Sequence, residues 1–137
     1  MSNRKTGTTF ERELCQILAA HGFWAHNLAQ NAAGQPFDVL AAKDGRAYPI
    51  DCKVCEHDKF PLSRIEENQE SSMLLWQDTG NEQGWFAMKL SDGTIRMWNI
   101  TKLLWFRDDK GMKELDKLHL ETFGLSLERW FEYADNG

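Results

Sequence analysis

The sequence of 137 residues has only three prolines and three cysteines, and it lacks any long apolar run. No stretch approaches the roughly 18 consecutive apolar residues that predict a transmembrane helix. The opening Met-Ser-Asn-Arg-Lys lacks the apolar segment of a signal peptide, and an odd number of cysteines does not predict a disulfide framework. These absences disfavour membrane and secreted proteins, so we expect a cytoplasmic one.

Residues that build a core are plentiful. Hydrophobic residues make up 42% of the chain and include six tryptophans, which is enough to bury one sizeable core. Because no repeat, low-complexity tract or linker divides the sequence, we expect residues 1–137 to form a single domain. The large aromatics exceed what one such core readily buries, so some are expected between two copies of the chain. These aromatics are Trp76, Trp85, Trp98, Trp105, Phe106, Trp130 and Phe131.

The charge is unevenly distributed along the chain. Residues 1–64 carry eight Lys/Arg against seven Asp/Glu, a sum of +1, whereas residues 65–137 carry eight against fourteen, a sum of −6. Only the first part is therefore suited to face phosphate groups, although the same charges would also suit an ordinary solvated surface. The candidate phosphate-binding side chains are Arg4, Lys5, Arg12, Lys53, Lys59 and Arg64.

Helical and strand patterns alternate along the chain. Capping-box patterns at Thr8–Glu11 and Ser63–Glu66 predict the starts of two helices, ending near Gly22 and Gln77. Further helices are predicted near 101–106 and 126–134, with a polar excursion at 107–117. Strands are predicted at 23–29, 37–43, 46–55, 84–90 and 94–100. The order predicts an α/β fold in which helices flank a central mixed β-sheet.

The Asp44-Gly45 pair predicts a two-residue hairpin turn that fixes the pairing of its strands. In that register Val39 pairs with Ile50, and Asp38 lies directly opposite Asp51. Two facing carboxylates repel each other. A divalent cation would offset the repulsion, since hard cations take oxygen ligands. Alternatively, both aspartates lie in solvent on an exposed edge and Lys53 forms a simple salt bridge.

Two glutamates of the first helix are candidates for a further site carboxylate. Glu11 and Glu13 flank the apolar stripe of this helix almost equally at 100° per residue. Cys15 extends the apolar side around Glu11, which makes Glu11 the more buried candidate. Its alternative role is that of the capping-box acceptor.

Gln69 falls within the apolar stripe of the second predicted helix. A buried amide must find hydrogen-bond partners or it destabilises the fold. The pattern leaves two roles open for Gln69. It could contact a phosphate or a residue beside the metal site, or it could bond to the backbone of a loop.

Several segments resemble known nucleases. Pro36-Phe37-Asp38 followed by Asp51-Cys52-Lys53 looks like the PD-(D/E)xK nuclease signature. Gly7-Thr8-Thr9-Phe10-Glu11-Arg12-Glu13-Leu14 resembles the N-terminal helix motif of RecU-type Holliday junction resolvases. The segment Tyr48–Lys53, then Phe60-Pro61-Leu62 and Gln69, resembles the core of that family.

The resemblance implies a restriction-endonuclease-like core and a homodimeric, structure-selective DNA endonuclease that resolves four-way junctions in recombination and repair. It implies Mg²⁺ as the cofactor, with Mn²⁺ as a substitute, and a bacterial or phage origin. The metal would be held by Asp38, Asp51, the backbone carbonyl of Cys52 and Glu11. The residues implied in catalysis are Asp38, Asp51, Lys53, Glu11 and Gln69. The residues expected to bind DNA, from the charge distribution, are Arg4, Lys5, Arg12, Lys59 and Arg64.

Two other functions fit the same residues. One is a nuclease of this fold that acts on flap, nicked or duplex DNA. The other is a non-catalytic DNA-binding module, which has little use for two opposed carboxylates.

Overall fold

The structure, a computed structural model, describes residues 3–28 and 35–136, and within the first helix it describes side chains from Thr9 onward. The helices are α1 (Asn3–Ala20), α2 (Glu67–Asp78), α3 (Ile100–Leu104), α4 (Lys117–Phe123) and α5 (Leu127–Asn136). The strands are β1 (Trp24–Asn27), β2 (Val39–Lys43), β3 (Arg46–Cys55), β4 (Phe60–Pro61), β5 (Trp85–Leu90), β6 (Ile95–Asn99), β7 (Glu114–Leu115) and β8 (Leu125–Ser126). A 3₁₀ turn covers Leu62–Arg64, and a π-helical turn covers Trp105–Asp109.

Six strands form a mixed sheet in the order β1-β2-β3-β5-β6-β8. Only the β3–β5 pair of this sheet is parallel within the described residues. The predicted α/β class, with helices flanking a central mixed sheet, is thus confirmed. The predicted hairpin register is confirmed as well, because Val39 pairs with Ile50 across β2 and β3. Asp44 and Gly45 both adopt positive φ angles of 53° and 80°, as a type I′ turn requires.

Both faces of the sheet are covered by helices and loops. On one face, a core that includes Phe10, Leu14, Ile50 and Trp130 joins the sheet to α1 and α5. On the other face, Phe86 and its neighbours pack against α2, α3 and α4. Asp51 pairs with Phe86 in the sheet and is 0% exposed. The exposed-edge alternative for Asp51 is therefore wrong.

Both predicted capping boxes are wrong. Helix α1 begins at Asn3, so Thr8 lies inside the helix and cannot be its N-cap. The N-cap of α2 is Glu66, whose capping box is completed by Gln69. The helix begins later than predicted because a 3₁₀ turn occupies Leu62–Arg64.

The predicted surplus of aromatics is also largely wrong. Because both faces of the sheet are buried, the protein has one core on each face, and most of the aromatics lie inside these two cores. The buried ones are Trp85, Trp98, Phe106, Trp130 and Phe131, while Trp105 is 45% exposed. Sequence patterns did not predict β4, β7, β8 or α4, whose N-cap is Asp116. No helix in the described ranges is long and apolar enough to cross a membrane.

Candidate active site

Asp38 and Asp51 meet where β2 begins beside the middle of β3. The backbone N–H of Asp38 donates to the carbonyl of Ile50 at 3.0 Å, which holds Asp38 beside β3. Both carboxylates are buried, Asp38 being only 9% exposed and Asp51 0%, and they lie close enough that Asp38 raises the pKa of Asp51. The structure therefore brings together the two aspartates that the hairpin register places opposite each other.

Both carboxylate oxygens of Asp38 have protein donors. Oδ2 accepts from the backbone N–H of Cys52 at 2.8 Å. Oδ1 accepts from Nε2 of Gln35, a buried side chain. This pattern fixes the plane of the carboxylate and leaves its remaining lone pairs for further ligands.

Glu11 joins the aspartates from the facing side of α1. It is only 6% exposed, and it lies close enough to Asp38 for that carboxylate to raise its pKa. Burial, the hydrogen bond to Asp38 and repulsion from Asp38 together raise the pKa of Glu11 to about 8. Glu13 lies outside this cluster and forms a salt bridge to Lys89 at 2.8 Å. Of the two glutamates, the structure brings Glu11 to the aspartates.

Lys53 is the cation closest to Asp51. Its Nζ lies 3.1 Å from Oδ2 of Asp51, and the side chain is 12% exposed. This ion pair is the interaction that Oδ2 makes among the described residues. Burial and the nearby Asp38 raise the pKa of Asp51 well above its usual range, although Lys53 acts in the opposite direction. The positive charge of Lys53 thus only partly offsets the cost of burying Asp51.

Gln69 connects Asp51 to the start of α2. Its Nε2 donates to Oδ1 of Asp51 at 2.8 Å, and its Oε1 accepts from the backbone N–H of Glu66 at 3.3 Å. The two roles left open by the sequence occur together in this buried side chain.

The cluster of Glu11, Asp38 and Asp51 suits a divalent cation in its chemistry. Carboxylate oxygens are the ligands that Mg²⁺ prefers, and Oδ2 of Asp51 is a buried oxygen that pairs only with Nζ of Lys53 among the described residues. Within the described ranges, no three His, Cys, Asp or Glu side chains are placed to hold a metal by themselves. Mg²⁺ commonly uses one or two carboxylates and takes its other ligands from water and substrate phosphate. The residues present fit that kind of site.

The predicted DNA-binding residues are spread over the surface. Lys59 and Arg64 line a cleft of about 390 Å³ beyond Lys53 at the end of β3. Arg64 also donates to the carbonyl of Val54 at 3.0 Å, so part of its role is structural. Arg12 is exposed on α1. The side chains of Arg4 and Lys5 lie outside the described residues.

Two side chains that the sequence did not predict to be part of the site, Gln35 and Asn68, support Asp38. Gln35 binds Asp38 directly, and Nδ2 of Asn68 donates to the backbone carbonyl of Gln35 at 3.0 Å. Gln35 lies outside any predicted helix or strand, so periodicity could not indicate its burial. Its position three residues before Asp38 was the only available signal.

Opposed aspartates at a strand junction, a lysine two residues after the second aspartate and a helix glutamate define a nuclease of the PD-(D/E)xK type. The chain belongs to the archaeal Holliday junction resolvase (Hjc) family, whose sequence model matches residues 1–134. Membership in this family makes it a junction-resolving endodeoxyribonuclease, a kind of nuclease that typically depends on a divalent metal. The RecU-type resemblance is not confirmed. A bacterial or phage origin is not supported, because the matching family is archaeal.

Among solved structures, the fold is similar to that of Archaeoglobus fulgidus Hjc, a Holliday junction resolvase from an archaeal hyperthermophile. The TM-score is 0.69 at 21% sequence identity, and the match covers 93% of this chain and 96% of that chain. At this identity the likeness shows the fold. No curated protein gives a significant sequence match to the chain.

Proposed function

We propose that the chain is a Mg²⁺-dependent endonuclease that resolves four-way DNA junctions during recombination and repair, with Mn²⁺ able to replace Mg²⁺. The observation that carries this proposal is the burial of Asp38 against β3, where it accepts from the N–H of Cys52 next to Asp51, with Lys53 3.1 Å from Asp51. We place the protein in the cytoplasm, as a single nuclease domain over residues 1–137. Membership of a resolvase family supports the four-way junction over other branched DNA.

Asp38, Asp51 and the backbone carbonyl of Cys52 would hold the cation, with Glu11 as an additional carboxylate. A bound cation would polarise the scissile phosphate and lower the pKa of an attacking water. With its pKa raised to about 8, the carboxyl group of Glu11 holds a proton at neutral pH, which it would have to release to act as a metal ligand.

The other residues of the site orient the reacting groups. Lys53 orients the attacking water or stabilises charge that develops on the phosphate, as a compact cation can. Gln69 holds Asp51 through its 2.8 Å hydrogen bond. The products would carry 5′-phosphate and 3′-hydroxyl ends. Arg12, Lys59 and Arg64, together with Arg4 and Lys5, would bind the DNA backbone.

The substrate class is tested by comparing Mg²⁺-dependent cleavage of a mobile four-way junction, a flap and a linear duplex of matched sequence. We expect the junction to be cut fastest. Faster cleavage of the flap or the duplex would favour the alternative nuclease. Junction binding without any cleavage would favour the non-catalytic module.

We further propose that the active form is a homodimer, because one site makes one cut and resolution needs two symmetric cuts. The surface that we assign to the interface contains Trp105 and Phe123, which are 45% and 44% exposed. They line an apolar groove of about 630 Å³ together with Phe106, Lys102 and Lys110. An exposed apolar surface of this kind is typical of a protein interface.

Replacing Trp105 and Phe123 together with alanine is expected to weaken self-association about tenfold or more, because buried aromatics dominate interface energies. Sedimentation equilibrium at micromolar concentration measures this effect. The control is Trp24→Ala, which removes a 60% exposed tryptophan from the edge strand β1, outside the apolar groove. A wild-type monomer that makes both cuts would contradict the dimer.

A further inference from the structure

The first turn of α2 is connected to both aspartates of the site by side-chain amides. Gln69 donates to Oδ1 of Asp51 at 2.8 Å. Its neighbour Asn68 donates from Nδ2 to the backbone carbonyl of Gln35 at 3.0 Å, and Gln35 donates to Oδ1 of Asp38. Two consecutive residues of one helix thus reach both aspartates, one directly and one through Gln35.

Gln35 is buried and held in place, so it is suited to orient the carboxylate of Asp38. It is only 6% exposed, and its Nε2 donates to Asp38 while its backbone carbonyl is held by Asn68. Its Oε1 has no hydrogen-bond partner among the described residues. A buried acceptor without a donor destabilises the fold, and a water entering the site would offset that cost.

The turn of α2 that carries these amides is itself anchored. Glu70 accepts two hydrogen bonds from Arg107, at 2.7 and 3.3 Å, and Arg107 lies on the π-helical turn Trp105–Asp109. A bidentate arginine–carboxylate pair restricts orientation as well as distance. The helix start is therefore fixed against a separate part of the fold.

We infer that Gln35 and Asn68 are positioning residues that hold Asp38 in place opposite Asp51 for cation binding. This inference rests on the proposed function, because it assigns the two residues to the same site. Neither residue touches the reacting atoms in this account. Gln35 acts through the carboxylate of Asp38, and Asn68 acts through the backbone of Gln35.

The test replaces each amide by an apolar side chain of similar size. Gln35→Met keeps the volume and removes the donor to Asp38, while Asn68→Leu alters an exposed side chain and so does not threaten folding. Gln77→Met is the matched control, because Gln77 is an exposed glutamine of α2, the helix that carries Asn68. The readouts are the Mg²⁺-induced rise in Tm without DNA and the Mg²⁺ concentration for half-maximal junction cleavage.

For Gln35→Met we expect Mg²⁺ affinity to fall about tenfold or more, as is usual when a residue that orients a metal ligand is lost. Asn68→Leu should shift both readouts in the same direction by a smaller factor, and Gln77→Met should shift neither. Junction binding without metal should stay at the wild-type level in all three variants. Because only the Mg²⁺-dependent part of Tm is compared, a change in metal-free stability does not affect the result.

Wild-type Mg²⁺ affinity in both Gln35→Met and Asn68→Leu would overturn the inference and leave the proposed function intact. If Gln35→Met does not fold, Asn68→Leu alone decides, and an unchanged Mg²⁺ response in that variant overturns the inference. A wild-type protein that shows no Mg²⁺-dependent cleavage would instead overturn the proposed function, so the two failures are distinguishable.

Discussion

Asp51→Asn is expected to reduce Mg²⁺-dependent junction cleavage about 10³-fold or more while making the metal-free protein more stable. Loss of a metal ligand removes several kcal/mol of transition-state stabilisation. Stability rises because Asp51 is buried beside Asp38, an arrangement that raises its pKa, and a neutral amide does not incur that cost. The hydrogen bond from Gln69 to Oδ1 can still form with asparagine. Cleavage assays and thermal unfolding in EDTA measure the two effects.

The control for this variant is Asp109→Asn, which makes the same chemical change at an exposed position of the π-helical turn. It should alter neither cleavage nor Tm appreciably. Mg²⁺-dependent cutting by Asp51→Asn at the wild-type rate would remove Asp51 from the site. A lower Tm would show that the interactions of the Asp51 carboxylate with Lys53 and Gln69 outweigh the cost of burying it.

The second large effect is expected in the pH dependence of stability. Glu11 has a pKa of about 8 in the folded protein against an ordinary value of 4.5. Between these values the folded chain holds a proton that the unfolded chain has released. The free energy of unfolding of the metal-free protein should therefore fall as the pH rises from about 5 to 8. The raised pKa of Asp51 acts in the same direction.

Glu11→Gln should remove up to about one proton from this linkage and flatten the profile. Denaturant unfolding in EDTA, measured from pH 5 to pH 8, gives the slope. The control is Glu13→Gln, which affects a glutamate outside the cluster and paired with Lys89, and it should keep the wild-type slope. An unchanged slope in Glu11→Gln would place Glu11 outside the group of interacting carboxylates.

The part of the site that the sequence could predict depends on local geometry. Asp44-Gly45 fixes the hairpin register. Strand alternation then places Asp51 and Lys53 on the same face of the sheet as Asp38, which lies across from Asp51. The burial of Glu11 could be estimated in the same way, from helical spacing. In both cases the position of the side chain is predicted from the regular spacing of residues within one helix or one hairpin.

The remaining features depend on contacts between distant segments. Gln35 and Asn68 interact across 33 positions of the chain, and no periodicity indicates such a contact. The capping box of α2 was misplaced because Ser63 lies in a 3₁₀ turn that tertiary packing stabilises. The prediction that the large aromatics exceed the capacity of the core is wrong for a related reason. The number of apolar residues does not reveal that the sheet is buried on both faces.

Cleavage of a supercoiled plasmid that extrudes a cruciform distinguishes paired incision by a junction resolvase from nicking. We expect Mg²⁺-dependent linear product from the wild-type protein, with 5′-phosphate ends, and no linear product from Asp51→Asn. Nicked open circles without linear product, or linear product that persists in Asp51→Asn, would contradict a junction resolvase built on the Asp38–Asp51 site.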